Sequence, residues 1–290
     1  MSSTPSRYEI FLKVAELGNI SHAAAEMNYT QSGVSHAIAA LEKETGLTLF
    51  IRSKSGVVLT ESGKLLLEPV RDLVNRKLNL EQTVLNMKHT VAGKLTVATF
   101  ASVAAAWLPR LTKGFGQLYP NVEISILDGS YTDVSEWIEK GTADCGFISY
   151  SAADGLDFIS LRHDPLLAVL PRNHDLSTKA SVTVSELLRY PFITPADGFD
   201  NDAHSLLYDT DPSFRPAYSF GDDTAIMAFI YSGAGVGIMP GLVIMNSKFP
   251  LDSKPLDPPQ HRDIGLAFSP GRTKTSAAVA FLDYVKAQVL

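Results

Sequence analysis

Apolar positions near the start of the chain repeat with the period of an α-helix. The spacings i, i+3, i+4 and i+7 form one helical face that comprises Tyr8, Phe11, Leu12 and Ala15. Gly18 is expected to end this first helix, and Ser21 is predicted to cap a second helix with its hydroxyl group. Thr30 is predicted to cap a third helix, which ends at Gly46. The pattern therefore predicts three short helices in succession.

The third helix has two different faces. Its inner face is apolar and comprises Val34, Ile38 and Leu41. Its outer face carries short polar side chains, which are Gln31, Ser32, Ser35 and His36. The apolar chain that follows turns at residues 52–56, which predicts a hairpin wing with Arg52 and Lys54 near its tip. A helix with short polar side chains on its outer face can lie in the major groove of DNA, and the two cations of the wing can contact DNA phosphates. A plain helical bundle with solvated surface charges is the alternative.

A long amphipathic segment follows, from residue 61 to about residue 91. Spacings of four and three residues alternate along a seam that comprises Leu66, Val70, Leu73, Leu80, Val84, Met87 and Val91, with Lys77 at the remaining step. A sustained heptad pattern of this kind is typical of a coiled coil between two chains. The alternative is a single helix that packs on its own domain.

Beyond Gly93, short buried strands alternate with amphipathic helices. The predicted strands of the first set are residues 95–100, 122–127 and 145–148. One helix is predicted to run from Ala101 to about Tyr119. A second set of strands and helices covers residues 166–240, and a last strand and helix follow at 264–268 and 276–289. This alternation predicts an α/β domain with a parallel sheet.

Composition agrees with a chain of several domains. Its 290 residues are enough for two or three domains, and the net charge is −6. Residues 1–92 carry ten Lys and Arg against nine Asp and Glu, a net charge of +1, whereas the remainder carries −7. The acidic part is therefore not the part that would bind DNA. A single cysteine, Cys145, excludes an intrachain disulfide. With no signal-peptide core and no membrane-length run, we expect a cytoplasmic protein without a membrane partner.

The first 63 residues carry an ordered series of motifs. Along the chain they are Ser21-His22-Ala23-Ala24-Ala25, Gln31-Ser32, Ser35-His36, Ile38-Ala39-Ala40-Leu41-Glu42, Gly46-Leu47-Thr48-Leu49-Phe50-Ile51-Arg52 and Leu59-Thr60-Glu61-Ser62-Gly63. This series resembles the DNA-binding domain of LysR-type transcriptional regulators. The resemblance implies a winged helix-turn-helix in residues 1–62 and a dimerisation helix in residues 63–92. The implied DNA contacts are Ser21, Thr30, Gln31, Ser32, Ser35, His36, Arg52 and Lys54.

One position departs from the family pattern, since His36 stands where an arginine is usual. The family reads double-stranded DNA as an interrupted inverted repeat, because a two-fold dimer presents two recognition helices. The resemblance therefore implies self-association, as a dimer or as a tetramer built from dimers.

Motifs in the second part resemble the effector domain of the same family. They are Tyr119-Pro120-Asn121-Val122, Gly141-Thr142-Ala143-Asp144, Pro191-Phe192-Ile193 and the glycine-rich run from Gly233 to Pro240. The implied domain, residues 93–290, has lobe I at 93–163 and 266–290 and lobe II at 164–265. The fold class is thus α/β, with an N-terminal all-α winged helix-turn-helix, a long linker helix and a two-lobed α/β effector domain.

A small effector is expected between the lobes. The candidate binding residues are Phe100, Ala101, Ser102, Thr194, Phe220, Asp223 and Gly237. Ser102 at a helix start favours an anionic or strongly polar group, whereas Asp223 would attract an amine. An amino-acid-like or hydroxy-acid-like molecule satisfies both, and Gly237 is expected to leave room for it. The simpler alternatives are that Ser102 only caps its helix and that Asp222-Asp223 only caps another.

Enzyme chemistry is not expected. The sequence has no Gly-x-Ser-x-Gly elbow and no strong metal-spacing cluster, and the glycines at 233, 235 and 237 lack the context of a dinucleotide loop. We therefore predict no catalytic residue, no metal and no cofactor, and we interpret Cys145 as a core residue. The alternative is a solute-binding module or an enzyme that shares the two-lobed fold, because fold does not determine function.

Overall fold

A computed structural model describes residues 5–53, 56–87, 91–196, 201–245 and 247–289. The chain divides into two units, Met1–Lys88 and His89–Leu290. Within the described residues, no helix is both long enough and apolar enough to cross a membrane.

The first unit consists of four helices and one hairpin. In chain order these are α1 (Arg7–Leu17), α2 (Ile20–Glu26), α3 (Gln31–Thr45), β1 (Phe50–Ser53), β2 (Gly56–Leu59) and α4 (Glu61–Met87). The strands β1 and β2 are antiparallel, with Phe50 opposite Leu59. A hydrophobic core forms where α1, α2, α3 and the hairpin meet, and Phe11, Val34 and Leu49 are fully buried in it. The predicted helices and wing strands are therefore present.

Local chemistry sets the ends of these helices. Gly18 ends α1 with φ of 59°, a left-handed conformation that glycine adopts without strain. The Thr30 hydroxyl accepts a hydrogen bond from the Gly33 N–H at 3.1 Å and caps α3, as predicted. The predicted cap of α2 is wrong. Asn19 is the N-cap, because its side-chain oxygen accepts from the N–H groups of Ser21 at 2.9 Å and His22 at 3.1 Å.

The long helix α4 faces its own unit over part of its length. Val70 is buried in the core of the unit, and Leu66 packs against that core. Lys77 Nζ lies 3.3 Å from the Glu9 carboxylate on α1. These three seam positions therefore follow the alternative interpretation of a helix packed on its own domain, and the prediction of one uniform intermolecular seam is wrong for them.

The rest of the seam is different. Leu73 and Leu80 are 48% and 62% exposed on α4. Val84 is half-buried, and Val91 lies beyond the end of α4. The side chain of Met87 lies outside the described residues. The intermolecular seam therefore remains a prediction for Leu73 and Leu80.

A mixed six-stranded sheet organises the second unit. Its strands are β3 (Gly93–Thr99), β4 (Val122–Asp128), β5 (Cys145–Ser149), β6 (Asp157–Leu170), β9 (Gly237–Pro240) and β10 (Asp252–Phe268), in the spatial order β4-β3-β5-β10-β6-β9. Strand β3 is parallel to β4 and β5, whereas β10 is antiparallel to β5 and β6. The predicted parallel sheet is therefore correct only for β3, β4 and β5. Two short strands, β7 (Ile193–Pro195) and β8 (Tyr218–Phe220), form a separate parallel pair.

The long strands β6 and β10 are the main departure from the predicted elements. The sequence predicts strands only at 166–170 and 264–268, but the two strands run for 14 and 17 residues and pair over most of their length. Their extra residues include exposed polar side chains such as His163 and His261. Because the hydrophobic pattern fades there, sequence periodicity does not reveal those halves of the strands.

Eight α-helices of the described residues accompany the strands. They are α5 (Ala101–Ala106), α6 (Leu108–Leu118), α7 (Tyr131–Glu139), α8 (Val184–Leu187), α9 (Asn201–Thr210), α10 (Asp223–Tyr231), α11 (Gly241–Met245) and α12 (Ser276–Val289). The single helix predicted from Ala101 is divided at Trp107 into α5 and α6.

The unit has two main hydrophobic cores. The first core contains an aromatic group in which Phe281 lies 5.2 Å from Phe115 and 6.2 Å from Phe147 between ring centroids. The second core includes Phe192 and Leu207. Strands β6 and β10 connect the elements around both cores.

Candidate functional site

The outer face of α3 is polar and exposed. Gln31, Ser32 and His36 are exposed and Ser35 is half-buried, whereas Val34 on the opposite side is fully buried. Thr30 is also exposed, and its hydroxyl lies 3.1 Å from the hydroxyl of Ser32. The structure therefore brings five of the predicted DNA contacts together at the start and on the outer face of one helix.

The other predicted DNA contacts lie on neighbouring elements. Ser21 is exposed in the first turn of α2. Arg52 belongs to β1, but its side chain and the whole of Lys54 lie outside the described residues. The start of the wing is held by Glu42 of α3, whose carboxylate accepts a hydrogen bond from the Leu49 N–H at 2.7 Å. Glu42, a residue of the sequence motif, therefore links α3 to the hairpin.

A cavity of about 390 Å³ lies in the second unit, between the start of α5 and the start of α10. One wall comes from the start of α5 and the end of β4, and another from β7, β8 and the start of α10. The residues that line it are Phe100, Ala101, Ser102, Ala105, Asp128, Gly129, Pro195, Phe220, Gly221, Asp222, Asp223, Thr224, Met227, Pro240, Leu242, Val243 and Arg262. Of the predicted effector contacts, Phe100, Ala101, Ser102, Phe220 and Asp223 are among these residues.

A buried arginine anchors one side of the cavity. Arg262 of β10 is 3% exposed, and its Nη2 lies 2.8 Å from the carboxylate of Asp164 on β6. Arg262 also donates hydrogen bonds of 2.8 Å to the hydroxyls of Tyr131 and Ser102. Its guanidinium carbon lies 5.2 Å from the centroid of the Phe100 ring, within the range of a cation–π contact. The network therefore joins a connecting strand to α5 and α7.

Ser102 has a different role from helix capping. The N-cap of α5 is Phe100, and no side chain of this cap makes a hydrogen bond to the helix. The Ser102 hydroxyl instead accepts the hydrogen bond from Arg262. The alternative that Ser102 only caps its helix is therefore wrong. In contrast, Asp222 does cap α10, because its carboxylate accepts from the Thr224 N–H at 2.9 Å.

Acidic side chains dominate the electrostatics of the lining. Asp128, Asp222 and Asp223 line the cavity, and Arg262 is already paired with Asp164. Burial raises the pKa of Asp223; the nearby Arg262 opposes this rise in the pKa and Asp222 adds to it. Desolvation also raises the pKa of Asp128. The ionised forms of these two carboxylates therefore lack some of the stabilisation that water would give them.

Thr194 and Gly237 do not line the cavity. The Thr194 hydroxyl is buried and lies 2.9 Å from Nε2 of His204, while the next residue, Pro195, forms part of the lining. A Cβ atom on Gly237 would lie 2.9 Å from the Ile193 carbonyl oxygen. The prediction that Gly237 leaves room for a ligand is therefore wrong, because that space is filled by the close approach of neighbouring backbone.

Sequence reasoning missed Asp128 and the pair formed by Asp164 and Arg262. Asp128 directly follows the predicted strand at 122–127 and ends β4, and binding residues often occur at strand ends in α/β folds, so a signal was present. Arg262 lies 98 residues from Asp164 and 160 from Ser102 along the chain. No local pattern indicates such contacts.

Cys145 is fully buried at the start of β5, as predicted for a core residue. Burial raises the pKa of its thiol well above the ordinary value. A neutral, inaccessible thiol is a poor nucleophile. The structure therefore gives no support to a reactive role for this cysteine.

Comparison with protein families assigns both parts of the chain. Residues 6–64 match the model described as a bacterial regulatory helix-turn-helix protein of the lysR family. Residues 88–290 match the model described as a LysR substrate binding domain.

Similar curated proteins are transcriptional regulators. The chain is 28% identical to YvbU of Bacillus subtilis, with 98% of each chain covered. It is 29% identical to the probable regulator LrrA of Synechococcus elongatus, covering 97% of this chain and 96% of the relative. It is 32% identical to CysB of Burkholderia cenocepacia over 76% of this chain and 72% of the relative. These names support regulation of transcription and not the alternative of an enzyme or a solute-binding module.

Solved structures share the fold. Full-length OxyR from Pseudomonas aeruginosa has a TM-score of 0.75 at 18% identity and covers 98% of both chains. CbnR in complex with its target DNA has a TM-score of 0.66 at 21% identity, covering 97% of this chain and 98% of that one.

Proposed function

Because the chain belongs to the LysR family of DNA-binding transcriptional regulators, we propose that the outer face of α3 reads its DNA site and that the cavity beside Arg262 binds its effector. Regulators of this family bind DNA and small-molecule effectors. The observation that carries the proposal is the cavity of about 390 Å³, which is lined by three aspartates, Asp128, Asp222 and Asp223, and by the aromatic rings of Phe100 and Phe220. A regulator must reach the DNA that it reads, so we also propose that the chain acts in the cytoplasm.

The DNA contacts follow from exposure and helix position. The side chains of Gln31 and His36 carry hydrogen-bond donors and acceptors, and they are long enough to reach base edges in the major groove. Thr30 and Ser32 at the start of α3, and Ser21 at the start of α2, lie where helix N-termini meet phosphates. Arg52 and Lys54 of the wing would add phosphate contacts.

The effector is proposed to carry an amine. The carboxylates of Asp128 and Asp223 accept no side-chain or backbone hydrogen bond from another residue that the structure describes, and desolvation raises the pKa of both. An ammonium group between them would supply the missing opposite charge and hydrogen-bond donors. A purely anionic effector is less well supported, because the Ser102 hydroxyl accepts from Arg262, and Asp164 neutralises Arg262.

The body of the effector is proposed to be apolar. Phe100, Phe220 and Met227 contribute apolar surface to the lining. Aromatic rings also favour a nearby ammonium through their negative faces. An aliphatic or aromatic amine, or an amino acid with such a side chain, therefore suits the walls better than a small inorganic ion.

Self-association is proposed to use the exposed side of α4. Leu73 and Leu80 are seven residues apart and exposed, so a second copy of the helix would bury both. A two-fold dimer formed in this way would present two α3 helices to an interrupted inverted repeat. A tetramer would be a further assembly of such dimers.

A matched ligand panel tests the effector proposal. The melting temperature of the full chain would be measured with three series of compounds that share the same carbon skeleton: amines, carboxylic acids and amino acids. We expect the amines or amino acids to raise it, because a ligand that binds only the folded state stabilises that state. Asp223→Asn should abolish the rise, while Asp154→Asn, at an exposed aspartate outside the cavity, should retain it. A rise with carboxylic acids alone would contradict the proposal.

A further inference from the structure

Three metal-ligating side chains lie together on the paired strands β6 and β10, outside the cavity. His163 of β6 stands directly opposite Asp263 of β10 in the antiparallel register. His261 precedes Asp263 by two residues, and side chains two apart in a strand point to the same face. The strand register therefore gathers two imidazoles and one carboxylate on one face of the ladder.

The distances between the donor atoms of these three side chains are short enough for all of them to bind one metal ion. Asp263 Oδ1 contacts Nδ1 of His163 and lies 3.5 Å from Nε2 of His261. The two imidazole rings are 5.0 Å apart between centroids. One donor atom from each residue lies within 4.8 Å of the others. In the part of the chain that the structure describes, this is the one group of three or more His, Cys, Asp or Glu residues with such spacing.

We propose that His163, His261 and Asp263 form a binding site for a divalent transition-metal ion of the zinc class. Imidazole nitrogen and carboxylate oxygen are ligands that such ions prefer. Ligand atoms around tetrahedral zinc lie about 3.3 Å apart, given bonds of about 2.0 to 2.1 Å. The His side chains are exposed, so small rotations can bring the donor atoms to that spacing. Three protein ligands leave the fourth position to water.

The site has a defined relation to the fold. The neighbours Asp164 and Arg262 pair on the next rung of the same ladder and face inwards, where Arg262 lines the cavity. A metal ion on the outer face would therefore link β6 to β10 beside the rung that carries the buried ion pair. No local sequence pattern indicates this group, because His163 and Asp263 are 100 residues apart.

Calorimetric titration of the untagged full chain with zinc chloride in a non-chelating buffer tests the proposal. We expect one zinc ion per chain, and we expect His163→Ala and His261→Ala each to weaken binding by about tenfold or more, since each removes a ligand. His22→Ala is the matched control, because His22 is exposed and belongs to no such group among the described residues. Unchanged zinc binding in both ligand variants, or none in the wild-type chain, would overturn the proposal.

A second measurement does not depend on the folding of variants. X-ray absorption of the zinc-loaded wild-type chain should show two imidazoles in the zinc coordination shell, together with oxygen ligands. A shell of oxygen alone would overturn the proposal. Zinc should also raise the melting temperature of the wild-type chain and of His22→Ala, but not that of His261→Ala, because bound metal stabilises the folded state.

Discussion

Arg262 Nη2 donates a hydrogen bond of 2.8 Å to the hydroxyl of Ser102, 160 residues earlier in the chain. The contact fastens the connecting strand β10 to the start of α5 at the edge of the cavity. Asp164 supplies the opposite charge for the same guanidinium group, and both residues are almost fully buried. The cavity is therefore built around a neutralised ion pair, and its remaining charge is negative.

Breaking this ion pair should destabilise the second unit strongly. Asp164→Asn leaves the Arg262 charge buried without its counter-ion, and such changes cost about 3–5 kcal/mol in the free energy of unfolding. Both tryptophans, Trp107 and Trp137, belong to the second unit, so urea unfolding followed by tryptophan fluorescence reports on that unit.

Asp263→Asn is the matched control for Asp164→Asn, measured with a chelator present. Its pair with His163 lies at the surface, with His163 exposed and Asp263 half-buried, and surface pairs contribute about 0–1 kcal/mol. An Asp164→Asn variant that is no less stable than Asp263→Asn would show that the buried pair does not hold the unit together.

Asp223 should make the stability of the second unit depend on pH. Burial raises the pKa of this carboxyl in the folded state, so the folded state disfavours ionised Asp223. The cost is full above the folded-state pKa and disappears as the pH falls below the unfolded-state value. Asp223→Asn should therefore raise the melting temperature at pH 7 without effector, and the gain should shrink as the pH is lowered towards 4. A gain that is absent at pH 7, or that grows on acidification, would contradict this assignment.

The exposed side of α4 should control self-association. Lysine at positions 73 and 80 would place charges in an apolar contact between chains, where burial is strongly unfavourable. Leu73 and Leu80 are exposed within one chain, so the double change should leave the first unit folded. Sedimentation velocity should then show smaller particles than the wild type. Leu65→Lys is the control, since Leu65 is 78% exposed and lies off the seam. Equal sedimentation of the double variant and this control would exclude the contact.

His36 should show whether α3 contacts bases or phosphates at that position. Removal of a base contact by His36→Ala should cost about 1–3 kcal/mol and relax the preference at one base pair. Removal of a phosphate contact should weaken binding to all sequences alike. Fluorescence anisotropy with a set of single-base variants of the binding site distinguishes the two. Unchanged affinity and unchanged preference would remove His36 from the interface.

Local sequence signals predicted the helix ends of the first unit well, because most of these ends depend on contacts between near neighbours. Gly18 and Thr30 act at helix ends within three or four residues of their partners. The error at α2 has the same origin. Asn19 and Ser21 are both good caps, and only the backbone shows that the helix begins at Ile20.

The cavity could be predicted only in part. Phe100, Ser102 and Asp223 stand beside strand ends and helix starts, which are visible in the sequence. The partners that determine their chemistry come from far along the chain. Arg262 belongs to β10, and the polar half of this strand shows no hydrophobic periodicity. Neither the burial of Arg262 nor its ion pair with Asp164 could therefore be inferred from the sequence. The predicted chemistry therefore included an anionic effector, which the acidic lining does not favour.

Selection from a randomised double-stranded DNA library by the full chain tests the central claim most directly. We predict that the wild-type chain enriches one interrupted inverted repeat, and that Gln31→Ala loses preference at one position in each half-site. Lys43→Ala, at an exposed residue in the last turn of the same helix, should enrich the same repeat as the wild type. Failure of the wild-type chain to enrich any sequence, or enrichment of the identical repeat by Gln31→Ala, would contradict the account.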